Sequence, residues 1–241
     1  MIDAAGPARV ITFANRLRND RRGLALIEFA LTCPLVLMVG LYGTELANLA
    51  LANMRVSQAA LTLADNASRV GVRSGSAQQF REVDVNDVIQ GLRLQSTKLD
   101  LMNNGRVIIS SLETEGTNQR IHWQRCVGIK RGAEYASHYG ETHISAGTQP
   151  STDQSSPSYG TLQPLGMGVA GRRVLAPANA GVIFVEVNYQ YKPVVATWIV
   201  GTPRLHYTAS YIVRANRDFS MIFNPVTSPA TPRATCDLYN V

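Results

Sequence analysis

The sequence predicts an α+β fold in which a long N-terminal helix, partly transmembrane and partly amphipathic, packs on a small antiparallel sheet with short helices. The helix is predicted by an apolar run that passes directly into an amphipathic pattern. The sheet is predicted by later segments that alternate apolar and polar residues or are rich in β-branched residues. With 241 residues, the chain is long enough for one domain of ordinary size and a membrane anchor.

Residues 1–23 form a basic leader. They hold five arginines against two aspartates, which is half of the formal net charge of +6. Because positively charged flanks of a membrane helix stay on the cytoplasmic side, we expect this leader in the cytoplasm and the rest of the chain exported. The other charges are well mixed along the sequence, so no nucleic-acid partner is expected.

Residues 24–46 are predicted to form a transmembrane helix. Their charged residues are Glu28 and Glu45, one near each end. At 1.5 Å per residue the segment spans about 34 Å, enough to cross the hydrocarbon core of a bilayer. Both glutamates are expected at the membrane interfaces, where a charge costs less than at the bilayer centre. Pro34 lies inside the segment and favours a kink.

Residues 47–70 are predicted to continue the same helix in amphipathic form. Apolar residues recur at helical spacing and form one stripe: Leu49, Val56, Ala60, Leu63, Ala67 and Val70. Gly71 is a suitable stop signal just beyond the last of them. From Leu24 to Val70 the helix would be about 70 Å long, with its upper half packed on a globular domain.

Residues 71–241 are predicted to form the exported α+β domain. A short helix is expected at the start of 84–102, where Val88, Ile89 and Leu92 have helical spacing. The segments 107–112 and 120–129, which flank a polar turn, predict a β-hairpin.

The second half of this domain combines a polar segment with two further strands. The stretch from about 136 to 180 is rich in Gly, Ser, Thr, Gln and Pro, so we expect a flexible insert there. Alternating residues in 185–191 and 205–213 then predict two half-buried strands that pair with each other.

The junction between leader and apolar run has features of a proteolytic processing site. Gly23 ends the leader, Leu24 begins the apolar run, and Glu28 and Phe29 follow. A glycine before the scissile bond offers an unhindered backbone to a protease. Cleavage would create an ammonium group at Leu24, and a carboxylate four residues later lies roughly 6 Å along the helix, close enough to neutralise it. Alternatively, Glu28 only favours the helix N-terminus through the helix dipole.

This junction resembles the processing site of type IV pilins and tight-adherence (Tad) pilus proteins, where a prepilin peptidase cuts after a glycine on the cytoplasmic side. In the Flp pilins of that system the glutamate is followed by tyrosine, and here Phe29 keeps the aromatic ring. The segment GLALIEFAL at 23–31 is similar to TadE-like proteins, as are the run at 185–193 and SYIVRANRD at 210–218. The resemblance covers the N-terminal third well and the last sixty residues moderately.

The TadE-like resemblance implies a pilin-like fold and a structural role in Tad (Flp) pilus biogenesis. It implies cleavage between Gly23 and Leu24, and assembly contacts that involve Glu28 and Phe29. The implied partners are the inner membrane, a prepilin peptidase, and other Tad pilus subunits and assembly proteins. The protein would be a minor pilin or pseudopilin-like component that is anchored in the bacterial inner membrane by one helix, with its C-terminal domain in the periplasm.

The sequence does not favour an enzyme. Its four histidines form no H-E-x-x-H motif, and Glu141 and His143 lie in the polar segment, where both are expected to be solvated. We therefore predict no catalytic residues, no cofactor and no metal. The alternatives are an uncleaved, signal-anchored periplasmic domain that binds an unknown ligand, and an ordinary secretory signal peptide, which fits less well because its apolar core is shorter.

Two of the three cysteines are candidates for a disulfide. Cys126 and Cys236 lie outside the apolar run, whereas Cys33 lies inside it. In an oxidising compartment the first two could pair, or both could stay as thiols. Pairing would close a loop on the order of 110 residues and stabilise the folded state by about 4.7 kcal/mol in a chain-entropy model.

Overall fold

The computed structural model describes residues 16, 18, 23–214, 216–226 and 228–240. Most of the predicted leader thus lies outside the described residues. The α+β fold is confirmed, because one long helix, short helices and an antiparallel sheet make up the chain. In chain order the elements are helix α1 (Leu24–Arg69), strands β1 (Val72–Ser74) and β2 (Ala77–Gln79), helices α2 (Glu82–Gln95) and α3 (Leu101–Asn104), strands β3 (Gly105–Glu115), β4 (Asn118–Val127), β5 (Thr161–Leu162) and β6 (Gly181–Gln190), helix α4 (Thr197–Val200) and strand β7 (Arg204–Ile212).

Helix α1 has 46 residues and continues through Pro34 without interruption. It ends one residue before the predicted limit, where Val70 is extended and Gly71 adopts a φ of +150°. The last carbonyl oxygens of the helix accept hydrogen bonds from the buried guanidinium of Arg217, which lies 2.8 Å from the Val70 oxygen. A cation at this position complements the negative end of the helix dipole.

The sheet has five antiparallel strands in the order β5-β4-β3-β6-β7. Strands β3 and β4 form the predicted hairpin, with Val107 opposite Val127. Strands β6 and β7 pair as predicted, with Val185 opposite Ala209. The small hairpin β1–β2 lies apart from this sheet and was not predicted.

One face of the sheet packs on α1 and α2 and forms the main hydrophobic core. Most of the α1 residues that pack into this core are alanines, so the helix axis can approach the sheet closely. The buried residues of α1 in this core are Ala52, Val56, Ala59, Ala60, Leu63, Ala64 and Ala67. Those of the sheet include Val107, Ile109, Trp123, Ile183, Val185 and Val187.

The opposite face of the sheet is also covered at β6, which corrects the prediction that this strand is half-buried, whereas β7 is half-buried as predicted. Every residue of β6 except Gln190 is buried. The cover is the irregular chain between β4 and β6, which includes the predicted flexible insert and buries Met167 and Ala176 against Phe184. The mobility of the insert stays a prediction.

A buried ion pair connects α2 to the sheet. Glu82 at the start of α2 and Arg125 in β4 are both almost completely buried, and Nε of Arg125 donates to Oε2 of Glu82 over 2.9 Å. Nη2 of Arg125 donates to Oε1 of Glu82. Removing either partner would leave an uncompensated buried charge, so this pair fixes α2 against β4.

Candidate functional site

The lower half of α1 is an exposed apolar surface. Over the described residues, α1 is the one helix that is long and apolar enough to cross a membrane, with a mean hydropathy of 2.2 in its most apolar window. No residue of that window is buried inside the protein. Apolar side chains cover this surface: Leu24, Leu26, Ile27, Phe29, Leu31, Leu35, Val36, Leu37, Met38, Val39 and Leu41. An exposed surface of this size needs a membrane or another apolar partner.

The predicted processing residues lie together at the start of α1. Gly23 immediately precedes the helix, and its carbonyl oxygen accepts the first helical hydrogen bond from the Ile27 amide at 3.1 Å. Leu24, Glu28 and Phe29 are exposed on the first two turns. The peptide bond between Gly23 and Leu24 and the carboxylate four residues beyond Leu24 are therefore both exposed at the N-terminal end of α1.

Glu45 is a functional candidate because its carboxylate is buried. Its side chain is completely buried at the junction between the apolar half of α1 and the domain, and its expected depth at the membrane interface stays a prediction. The Tyr191 hydroxyl donates to Oε1 of Glu45 over 2.5 Å, and the main-chain amides of Val194 and Val195 donate to Oε2 over 3.1 and 2.7 Å. The carboxylate thus binds α1 to the loop after β6.

This loop continues alongside the apolar half of α1. Burial and the hydrogen bond to Glu45 raise the pKa of Tyr191, so its hydroxyl stays protonated and remains a donor. Beyond it, Val194 and Trp198 are 72% and 78% exposed. Trp198 and Ile199 line a groove with residues of α1 between Pro34 and Tyr42. An exposed tryptophan beside an apolar helix is typical of a side chain at a membrane interface.

Cys126 and Cys236 are joined by a disulfide, with their Cα atoms 4.8 Å apart. The bond attaches the C-terminal segment to β4 on the covered face of the sheet. Arg106 reinforces the attachment, since its guanidinium donates to the carbonyl oxygens of Cys236 and Leu238 over 2.5 and 2.7 Å. Cys33 is a free, partly buried cysteine on α1.

Two histidines that lie far apart in the sequence meet on the covered face of the sheet. His138 from the irregular chain and His206 from β7 have ring centroids 4.3 Å apart. Glu186 of β6 lies beside them and is completely buried. One ligand atom from each of the three residues lies within 4.8 Å of the others. No motif in the sequence indicated this cluster.

Hydrogen bonds hold each member of the cluster in place. The Ser137 hydroxyl donates to Oε2 of Glu186 over 2.7 Å, and the His138 amide donates to Oε1 over 3.0 Å. Nδ1 of His206 lies 2.8 Å from Oδ1 of Asn188. Burial raises the pKa of the Glu186 carboxyl. Burial, with the neighbouring His138 and Arg204, lowers the pKa of His206 to about 4, so the His206 ring is neutral at physiological pH.

Glu141 and His143, the only acid and histidine singled out together from the sequence, are not part of this cluster. His143 instead contacts the Ser145 hydroxyl at 2.7 Å on the surface. Comparisons of the whole chain with protein-family models, with curated proteins and with solved structures find no match.

Proposed function

We propose that this protein is a minor pilin or pseudopilin-like component in the biogenesis of a Tad (Flp, type IVc) pilus. In this proposal it is anchored by α1 in the bacterial inner membrane, with its N-terminus in the cytoplasm and its sheet domain in the periplasm. A prepilin peptidase then cleaves it between Gly23 and Leu24. The other Tad subunits and assembly proteins are its partners.

The observation that carries the proposal is the division of α1 into two halves. The half that begins at Leu24 is apolar and unburied, whereas the half beyond Ala52 is embedded in the core of the domain. A subunit of this shape can lie in a bilayer before assembly and pack its exposed half against other subunits afterwards. The alanine-rich upper half of α1 attaches the domain rigidly to the exposed lower half.

The position of Glu28 supports a role in assembly. Its exposed side chain lies on the first turns of α1, four residues beyond the N-terminus that cleavage would create. In an apolar environment a carboxylate at this distance would neutralise an ammonium group of the same or a neighbouring subunit. The Phe29 ring is exposed at the same end of α1.

The test is the mature N-terminus of the full-length protein, isolated from membranes of cells with and without a prepilin peptidase and measured by mass spectrometry. We expect Leu24 with the peptidase and Met1 without it, and Gly23→Ala should block the change. Gly40→Ala is the matched control, because an added methyl group there also meets nothing within 4 Å. A chain that still begins at Met1 with the peptidase present would support the alternative, an uncleaved anchored domain that binds a ligand.

Assembly is measured separately from cleavage. Glu28→Ala should leave processing intact and reduce the incorporation of the subunit, whereas Phe29→Tyr, which keeps the ring, should change neither. Normal piliation in both Gly23→Ala and Glu28→Ala cells would contradict the proposal.

A further inference from the structure

We propose that His138, Glu186 and His206 form a binding site for one divalent transition-metal ion with the ligand preference of Zn²⁺. Two imidazoles and one carboxylate are a ligand set that such ions bind in proteins. The proposal goes beyond the function proposed above and does not depend on it.

The distances allow one ion to contact all three residues. Their ligand atoms lie within 4.8 Å of one another. Zinc ligands at about 2.0–2.2 Å in a tetrahedral arrangement are about 3.4 Å apart, so the ligand atoms need to approach one another by at most about 1.4 Å. The His138 side chain is 43% exposed and His206 is also exposed, so both rings have room for this movement.

The charge balance of the cluster favours a cation. Glu186 is completely buried, and within the part of the chain that the structure describes its ion-pair partner is His138 at 3.3 Å, with no lysine or arginine in an ion pair with it. A buried carboxylate without a fixed positive charge is unfavourable, and a metal ion would supply that charge. The guanidinium of Arg204, which lies near His206, is engaged by Asn188 and the main chain of Glu134.

Neighbouring groups orient the ligands as they do in metal sites. Oδ1 of Asn188 accepts a hydrogen bond, so Nδ1 of His206 carries the proton and Nε2 keeps a free lone pair. The Ser137 hydroxyl holds Oε2 of Glu186. This arrangement leaves Oε1 beside His138.

The topology explains why the three residues meet. In the register of β6 and β7, Asn188 lies opposite His206, and Glu186 is two residues away on the same face. His138 belongs to the irregular chain that covers this face. A bound ion would therefore crosslink the cover to the two strands.

The test uses the full-length protein in detergent, purified with an affinity tag that contains no histidine and stripped of metal with a chelator. Titration calorimetry with Zn²⁺ should show one ion per chain. His138→Ala and His206→Ala should each weaken the affinity by at least about tenfold. His143→Ala is the matched control, since it removes an exposed histidine outside the cluster, and it should leave the affinity unchanged.

A second measurement separates loss of binding from loss of folding. Zn²⁺ should raise the thermal unfolding midpoint of the wild type and of His143→Ala, because it binds the folded state, and should not raise that of the two cluster variants. Far-UV circular dichroism establishes that each variant is folded. Glu186→Gln tests the negative charge of the carboxylate, because it removes the charge and keeps the shape of the side chain. Absence of binding in the wild type would overturn the proposal, as would wild-type affinity in either His138→Ala or His206→Ala.

Discussion

For Glu45, the helical periodicity of the sequence indicates which way the side chain faces but not what it contacts. The apolar stripe identified in the sequence begins at Leu49, and one step of four residues back along the same face reaches Glu45. The periodicity therefore contained a signal that this carboxylate faces the domain. Its hydrogen-bond partners in the loop after β6 lie about 150 residues away, and no local pattern identifies such partners.

The hydrogen bond from Tyr191 to Glu45 predicts a measurable loss of stability. Tyr191→Phe removes one donor from a buried carboxylate, so the free energy of unfolding should fall by about 1.5–3 kcal/mol. The exchange of the Val194 and Val195 amides with deuterium should also accelerate. Urea unfolding in detergent and hydrogen-exchange mass spectrometry measure the two effects.

Tyr207→Phe is the matched control for this change. Its hydroxyl donates to the neutral Asn53 side chain over 3.2 Å at a partly buried position, so the loss should be about 0.5–1.5 kcal/mol. Equal effects of the two substitutions, or unchanged exchange at Val194 and Val195, would show that Glu45 does not hold the loop.

The positions of the residues in the histidine cluster could be predicted only in part from the sequence. Both strands were predicted, and aligning them would have placed His206 opposite Asn188 and near Glu186. His138 lies in a segment without hydrophobic periodicity, and its position depends on how that segment folds over the sheet. The absence of an H-E-x-x-H motif carries no information on this cluster, because the motif depends on spacing in sequence and the cluster depends on strand register.

Among the elements, those with a strong local pattern were predicted well. Helix α1, the β3–β4 hairpin and the β6–β7 pair follow from periodicities of 3.6 and 2 residues, which local sequence determines. The burial of both faces of β6 did not follow from its alternation of Val185 with Glu186. Polar residues on the second face are buried because hydroxyl and amide groups of the irregular chain satisfy them.

The end of α1 depends on Arg217, which predicts a second stability effect. Burial lowers the pKa of Arg217 to about 10, yet the side chain stays charged and binds three carbonyl oxygens. Arg217→Ala would leave those oxygens without a donor, so the free energy of unfolding should fall by about 1.5–3 kcal/mol. Chemical unfolding followed by circular dichroism measures the change.

Arg214→Ala is the control for Arg217→Ala. Arg214 is exposed just beyond β7, so its removal should change the stability by less than about 0.5 kcal/mol. If both variants unfold at the same denaturant concentration, the capping role of Arg217 is wrong.

At the scale of the whole molecule, the disulfide fixes the C-terminal segment over a separation of 110 residues. Replacing Cys126 and Cys236 together by alanine should lower the free energy of unfolding by about 2–5 kcal/mol, because the unfolded chain gains freedom. Reductant should destabilise the wild type by a similar amount. Urea unfolding with and without reductant measures both effects.

Cys33→Ala provides the control for this experiment, because Cys33 is free in the structure. It should keep the wild-type response to reductant, whereas the double variant should lose that response. A wild type that is indifferent to reductant would contradict a stabilising role for the bond.

The continuity of α1 from Leu24 to Arg69 has a mechanical consequence. Tension applied to the lower end reaches the core along a single rod, with no hinge or linker to stretch first. The load then acts along the helix axis, on the alanine face that packs against β6 and β7.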